Sequence, residues 1–188
     1  LVAAITAGID PVAAARGIAR LESVPGRMEV VDGPSPSPLA LVDFAHTPGA
    51  ISASLGALRP RTEGRIIAVL GAGGGRDQGK RPAMGAAAAA VADVVIVTDD
   101  NPRDEDPAVI RAAVLEGTPR GGERAARVWE IADRAGAIRA AVDGAQVGDA
   151  VAILGKGHET GQIVGATVVD FDDRAVLAEA MREHGPWT

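Results

Sequence analysis

Residues 65–80 read RIIAVLGAGGGRDQGK. Arg65 to Leu70 is an apolar, β-favouring run with the length of a strand buried on both faces. Glycines end it. Lys80 then opens an alanine-rich stretch to Ala92, the composition of a helix whose small side chains let it pack close to a sheet. The same alternation runs outward in both directions. Upstream, Leu39–Phe44 reads as a strand, and Thr47-Pro48 as the cap and first position of a helix to about Leu58. Downstream, Asp93–Thr98 (DVVIVT) is a strand, Asp106-Pro107 starts a helix through Leu115, and Arg124–Trp129 is a weaker strand. Ala132–Val142 follows as a helix and Ala150–Leu154 and Thr167–Asp170 as strands, and Asp172 or Asp173 caps a last helix to Glu183. Short apolar strands separated by helices predict an α/β fold: a mostly parallel, doubly wound sheet with helices on both faces.

Near the beginning, Asp10-Pro11 through Leu21 reads as a helix, and Val24-Pro25-Gly26 breaks the pattern. A domain boundary is expected there, dividing residues 1–23 from 24–188. Met28–Val31 suits a short strand, and Pro34, Pro36 and Pro38 stiffen the loop after it. Leu1 falls in what reads as the middle of a helix. That favours a piece of a longer protein over a trimmed native terminus.

Composition narrows the function. Among 188 residues, 25 are acidic and 19 basic, a net charge of −6, which lacks the electrostatic footprint of a general nucleic-acid binder. An aromatic content of 2% also disfavours base-stacking platforms. No apolar run reaches membrane-spanning length, so no membrane insertion is expected. With no cysteine, a disulfide scaffold, a thiol nucleophile and a thiolate metal site are excluded; with three histidines, zinc ligation is not expected either. Only two lysines occur, Lys80 and Lys156, and both sit in glycine-rich segments.

In parallel sheets, ligands bind beyond the carboxyl ends of the strands, and the unusual residues cluster there. Gly74–Lys80 (GGRDQGK) fits the phosphate-loop template up to its lysine, but Arg81 stands where the magnesium-binding hydroxyl belongs. It is either an anion-binding loop or a tight strand–helix turn. In Asp99-Asp100-Asn101-Pro102-Arg103, one strand end delivers two carboxylates, an amide and a guanidinium; Arg103 can grip a carboxylate with two parallel bonds. The set suits a zwitterionic, amino-acid-like ligand, an Asx turn beside a surface arginine being the plainer alternative. In Gly155-Lys156-Gly157-His158-Glu159, the glycines permit close backbone approach, Lys156 is a point charge, Glu159 a partner for an ammonium group, and His158 a base or a structural hydrogen bonder. Asp43-Phe44-Ala45-His46-Thr47-Pro48 is a capped strand–helix junction or a nucleotide contact, and Arg27 a surface charge or an arginine that reaches a phosphate when domains close.

Taken in order, GRMEVV, DFAHTPGA, GAGGGRDQGKRP, TDDNPR and GKGHETGQIV resemble the Mur ligase family, in its diaminopimelate-adding branch. The resemblance covers nearly the whole chain. It implies that residues 24–188 form the family's third, Rossmann-like domain and residues 1–23 the terminal helix of the central ATPase domain. The implied reaction is an ATP-dependent amide ligation in peptidoglycan synthesis in the bacterial cytoplasm. In it the D-glutamate γ-carboxylate of UDP-N-acetylmuramoyl-L-alanyl-D-glutamate becomes an acyl phosphate, which the amine of meso-diaminopimelate attacks. Carried over residue by residue, the resemblance assigns Arg76, Asp100, Asn101, Arg103, Gly155 and Glu159 to meso-diaminopimelate, with Lys156 as an additional anion contact. Arg27, Asp43 and His46 are assigned to the nucleotide. No general base and no metal ligand is expected in this segment, because ATP and Mg2+ are bound mainly by the upstream domains, which also hold the UDP moiety. The segment is therefore expected to be inactive alone. The sequence departs from the family at Gly49 and Gly75, where aspartate is common. A related Mur or folate-type ligase domain for another amino acid, a free-standing phosphate-loop NTPase and a non-catalytic metabolite-binding module are the alternatives.

Overall fold

The computed structural model describes residues 2–20, 24–118 and 126–187. Two short helices, α1 (Val2–Thr6) and α2 (Pro11–Ile18), come first; Asp10 caps the second by accepting from Val12 and Ala13 N–H, and Pro11 occupies its first turn. The single helix expected through Leu21 is thus two, the second ending at Ile18, and Leu21 lies outside the described residues. Next come β1 (Glu29–Val30), β2 (Leu39–Asp43), α3 (Pro48–Leu58), β3 (Ile66–Leu70), α4 (Lys80–Ala89), β4 (Val94–Val97), α5 (Pro107–Glu116), β5 (Arg127–Glu130), α6 (Arg134–Asp143) and β6 (Ala150–Leu154). The chain ends with β7 (Gly161–Val164), β8 (Thr167–Asp170) and α7 (Asp173–His184).

Six strands form one sheet in the order β1-β2-β6-β3-β4-β5, and every pairing is parallel except that of β1 with β2. The two-residue pitch of each strand sorts its side chains onto opposite faces. On one face, Leu41, Ala68, Leu70, Val95, Val97 and Leu154 meet Ile51, Leu55 and Leu58 of α3, Met84 and Ala88 of α4, and Ile110 and Val114 of α5. On the other, Val42, Ile67, Val69, Ile96, Val151 and Ile153 meet Ile138 and Ala141 of α6, and Leu177 and Met181 of α7. Both faces are covered, as the unbroken apolar runs require.

One expected strand goes elsewhere. Thr167–Asp170 does not join the main sheet: as β8 it pairs antiparallel with β7 in a separate two-stranded ribbon. Arg124, the expected start of β5, lies outside the described residues.

β6 lies between β2 and β3, so the loops after β2, β6, β3 and β4 stand side by side at one edge. Two helix starts lock this edge from below. Arg134, the first residue of α6, is fully buried. Its Nε and Nη2 donate to the two carboxylate oxygens of Asp173, the first residue of α7, each at 2.7 Å. Its remaining reach goes to strand ends: Leu154 O at 3.1 Å and Asp99 O at 3.3 Å. Burial works against the guanidinium charge, but Asp173, with Asp100 and Glu159 behind it, more than offsets burial and holds the pKa above its ordinary value. Removing one member of such a pair strands the other charge. Asp173→Ala is therefore expected to cost about 3–5 kcal/mol of stability, read as a lowered midpoint in urea unfolding.

Candidate functional site

The loops after β3 and β4 are docked backbone to backbone. Gly74 N–H donates to Asn101 O at 2.9 Å, and a Cβ at Gly74 would stand 1.8 Å from Pro102 O, so only glycine fits. Arg103 sits in the left-handed region at φ 53°, uncommon for a side chain of its size. Its backbone is held there by β7: Arg103 N–H donates to Ile163 O at 3.0 Å, and Gly165 N–H to Arg103 O at 2.7 Å. Strain of this kind persists where surrounding structure enforces it, commonly at binding sites.

Between these loops and the end of β6 lies a cleft of about 410 Å³. It collects all six residues assigned to the amino acid: Arg76, Asp100, Asn101, Arg103, Gly155 and Glu159. Arg103 Nη1 donates to Gly74 O at 2.7 Å, which aims the guanidinium across the loop rather than into solvent. Arg76 is exposed at the rim. Of the two carboxylates that end β4, Asp99 is taken by Arg111 at 2.5 Å and stays out of the cleft. Asp100 faces it, buried, with Arg134 Nη1 4.0 Å away. Gly155, at φ 118°, must be glycine, because a Cβ there would fall 2.7 Å from the Asp100 carboxylate. Glu159 accepts from Asn101 Nδ2 at 2.8 Å through Oε2. The cleft thus brings cationic groups, the Arg76 and Arg103 guanidiniums and the Lys80 ammonium, together with two carboxylates, Asp100 and Glu159.

Lys156, assigned as the additional anion contact, is not among the residues that line the cleft. Lys156 is fully buried and its Nζ faces three protein acceptors: Gly161 O at 2.6 Å, Asn101 Oδ1 at 3.1 Å and Glu159 Oε2 at 3.3 Å. An ammonium has three N–H donors, and all three have partners here.

The residues assigned to a nucleotide gather beside the cleft around Phe44. The Arg27 guanidinium lies over the Phe44 ring, 4.5 Å from its centroid. His46 packs edge-on at 4.6 Å, and His158 tilts against the same ring at 5.3 Å, exposed. Asp43 is buried beneath them, with Oδ2 accepting from Met28 N–H at 2.8 Å. His46 also lines the cleft, with Lys80, whose Nζ donates to His46 O at 3.1 Å.

The phosphate-loop alternative does not fit the geometry. A phosphate cradle needs free backbone N–H groups, but Gly74 N–H is used by Asn101 O, Gly75 N–H by Glu105 and Gly79 N–H by Asp77. Arg81, at the hydroxyl's position, is buried in an ion pair with Glu105 at 2.9 Å. Among the described residues, no group of three or more histidines, aspartates or glutamates is placed to hold a metal ion.

Glu105 and the Arg134–Asp173 pair were not legible as site residues. Glu105 lies two residues past the DNPR stretch and holds the loop that carries Arg76. Gly75 N–H, first, and Arg81, second, keep its carboxyl below the ordinary value of 4.5. A depressed carboxyl stabilises the fold above its unfolded pKa, and the contribution fades as pH falls through the lower folded value. Below about pH 4.5, the exchange protection factors at residues 75–78 should therefore fall ahead of those in β3 and β4, and Glu105→Gln should produce the same loosening at neutral pH. Equal protection at both pH values would contradict this anchor.

The fold and the cleft define an α/β domain with a polar, charge-lined cleft at its strand ends. Residues 26–157 match the family described as "Mur ligase, glutamate ligase domain". The chain belongs to the Mur ligase family. It is 52% identical over 185 residues to the UDP-N-acetylmuramoyl-L-alanyl-D-glutamate--2,6-diaminopimelate ligase of Corynebacterium efficiens, covering 97% of this chain and 35% of that protein. It is 49% identical over 186 residues to the enzyme of the same name from Streptomyces coelicolor, covering 97% and 36%. A solved structure of a ligase with this name superimposes with a TM-score of 0.78 at 41% identity, over 96% of this chain and 36% of that one. The chain thus spans about a third of the length of these relatives. A bifunctional folylpolyglutamate synthase/dihydrofolate synthase from Yersinia pestis shares the fold, with a TM-score of 0.56 at 23% identity, over 72% of this chain and 29% of that one.

Proposed function

We propose that this chain is the amino-acid-binding domain of an ATP-dependent ligase that joins meso-diaminopimelate to UDP-N-acetylmuramoyl-L-alanyl-D-glutamate in peptidoglycan synthesis. The observation that carries the reading is the pairing, in one cleft, of Arg103 and Asn101 with Asp100 and Glu159. One end of diaminopimelate is itself an amino acid. Its carboxylate suits the Arg103 fork and the Asn101 N–H, and its ammonium suits Glu159 and Asp100. L-Lysine lacks that carboxylate, and would leave Arg103 without its partner in a closed site, a larger penalty than a lost contact.

In this reading the ligase first transfers the γ-phosphoryl group of ATP to the D-glutamate carboxylate. The free amine at the other end of diaminopimelate then attacks the acyl carbon. The C–N bond forms, the C–O bond to phosphate breaks, and the amine proton passes to solvent or phosphate. The contribution of this domain is placement: it grips the far end so that the near amine stands close to the acyl phosphate. Arg27, Asp43 and His46 meet the nucleotide as the domain closes on the central ATPase domain, whose end is formed by residues 1–23. ATP and Mg2+ are held mainly by that partner domain, and the chain alone is inactive. The dependence on ATP and a UDP-linked substrate places the reaction in the bacterial cytoplasm; among the described residues no helix is long and apolar enough to cross a membrane.

The test is ADP release by the full polypeptide that carries this chain, given the UDP-linked dipeptide, ATP and either meso-diaminopimelate or L-lysine. Release with diaminopimelate alone is expected. Release with lysine instead would overturn the substrate assignment, and release with neither would overturn the ligase reading. Arg103→Ala should lower kcat/KM for diaminopimelate roughly tenfold to a hundredfold while leaving the KM for ATP near its original value.

A further inference from the structure

Lys156 lies under the cleft with no ligand-facing donor left, yet it touches two of the residues that face the ligand. Its Nζ donates to Asn101 Oδ1 and Glu159 Oε2, and the Ile163 N–H also donates to Asn101 Oδ1, at 2.9 Å. Two donors on one oxygen decide which way the Asn101 amide faces. The reversed amide would set Nδ2 against the ammonium and the Ile163 N–H, donor against donor. Nδ2 must therefore face Glu159, where it donates at 2.8 Å, and its second N–H remains for the cleft. On the Glu159 side, both of these donors fall on Oε2, so Oε1 is the oxygen left for an incoming cation.

We propose that Lys156 is a positioning residue that sets the polarity of the cleft. Together with the Ile163 N–H it fixes Asn101 Nδ2 as the donor toward the cleft, and by occupying Glu159 Oε2 it leaves Oε1 for a cation, so that a ligand carboxylate docks on the Asn101 and Arg103 side and a ligand ammonium on the Glu159 side. Selection of an amino acid with a zwitterionic far end, over one ending in an amine alone, then depends on a residue that contacts neither. The inference rests on the amino-acid reading of the cleft. It also explains a buried lysine where an apolar residue would avoid the desolvation of a charge.

Two measurements on Lys156→Met test it. In the isotope-labelled full polypeptide that carries this chain, the Asn101 side-chain amide signals, identified by their loss in Asn101→Asp, should shift and lose their exchange protection in the variant. In the full polypeptide, the preference for meso-diaminopimelate over L-lysine in kcat/KM should fall roughly tenfold or more, with the KM for ATP unchanged. A lysine that only supports the fold would lower Tm and weaken both amino acids equally; an unmoved amide signal or an unmoved preference ratio overturns the proposal. If the unaltered enzyme shows no preference for diaminopimelate, the amino-acid reading fails, and the amide signals alone decide the link between Lys156 and Asn101. If methionine prevents folding, Lys156→Gln removes the charge more gently and is read in the same two ways.

Discussion

Arg134 and Lys156 carry positive charges into a region that water does not reach, and a charge placed there persists only where carboxylates and carbonyl dipoles answer it. The answer to Arg134 is Asp173 from α7, together with the carbonyls that end β4 and β6. The answer to Lys156 is Asn101, Glu159 and the first carbonyl of β7. Each cation therefore ties together loops that belong to different strands. The spacing of the cleft residues follows from charge compensation beneath them as much as from apolar packing of the sheet.

Above this layer, the two glycine-rich loops supply closeness. Gly74 lets the loop after β3 lie directly on Pro102, and Gly155 leaves room for the Asp100 carboxylate. Glu105 and β7 then fix the outer edges, the first through Gly75 and Arg81, the second through the backbone of Arg103. A cleft lined by both cations and carboxylates is built from short loops pinned by these contacts. Such pinning keeps the reorganisation on binding small, which is how a domain contributes to a reaction by placement.

Much of the scaffold was legible in the sequence. Ile66–Leu70 and Val94–Val97 are buried on both faces and their apolar runs read as strands, and Thr47-Pro48 and Asp106-Pro107 announce helices through cap chemistry. Placing each motif at a strand end brought the loops together; the choice of Arg76, Asp100, Asn101, Arg103, Gly155 and Glu159 within them came from the resemblance to the Mur ligase family, and all six line one cleft. The β7–β8 ribbon was less legible: GQIV is half-exposed and opens on glycine, so it carries no strand period, and β8 was read as a strand without its partner. The burial of Lys156 was illegible for the same reason. A lysine between two glycines looks ligand-facing, and what buries it is the ribbon just downstream. The Arg134–Asp173 pair joins residues 39 apart at two helix starts, a contact that local pattern cannot encode.

The most direct test of this account is a crystal structure of the full polypeptide with meso-diaminopimelate bound. The account predicts one carboxylate on Arg103 and the Asn101 amide nitrogen, the neighbouring ammonium on Glu159, and Lys156 beneath them with no ligand contact. A ligand bound outside this cleft, or bound in it with its carboxylate at Glu159 or on Lys156, would contradict it.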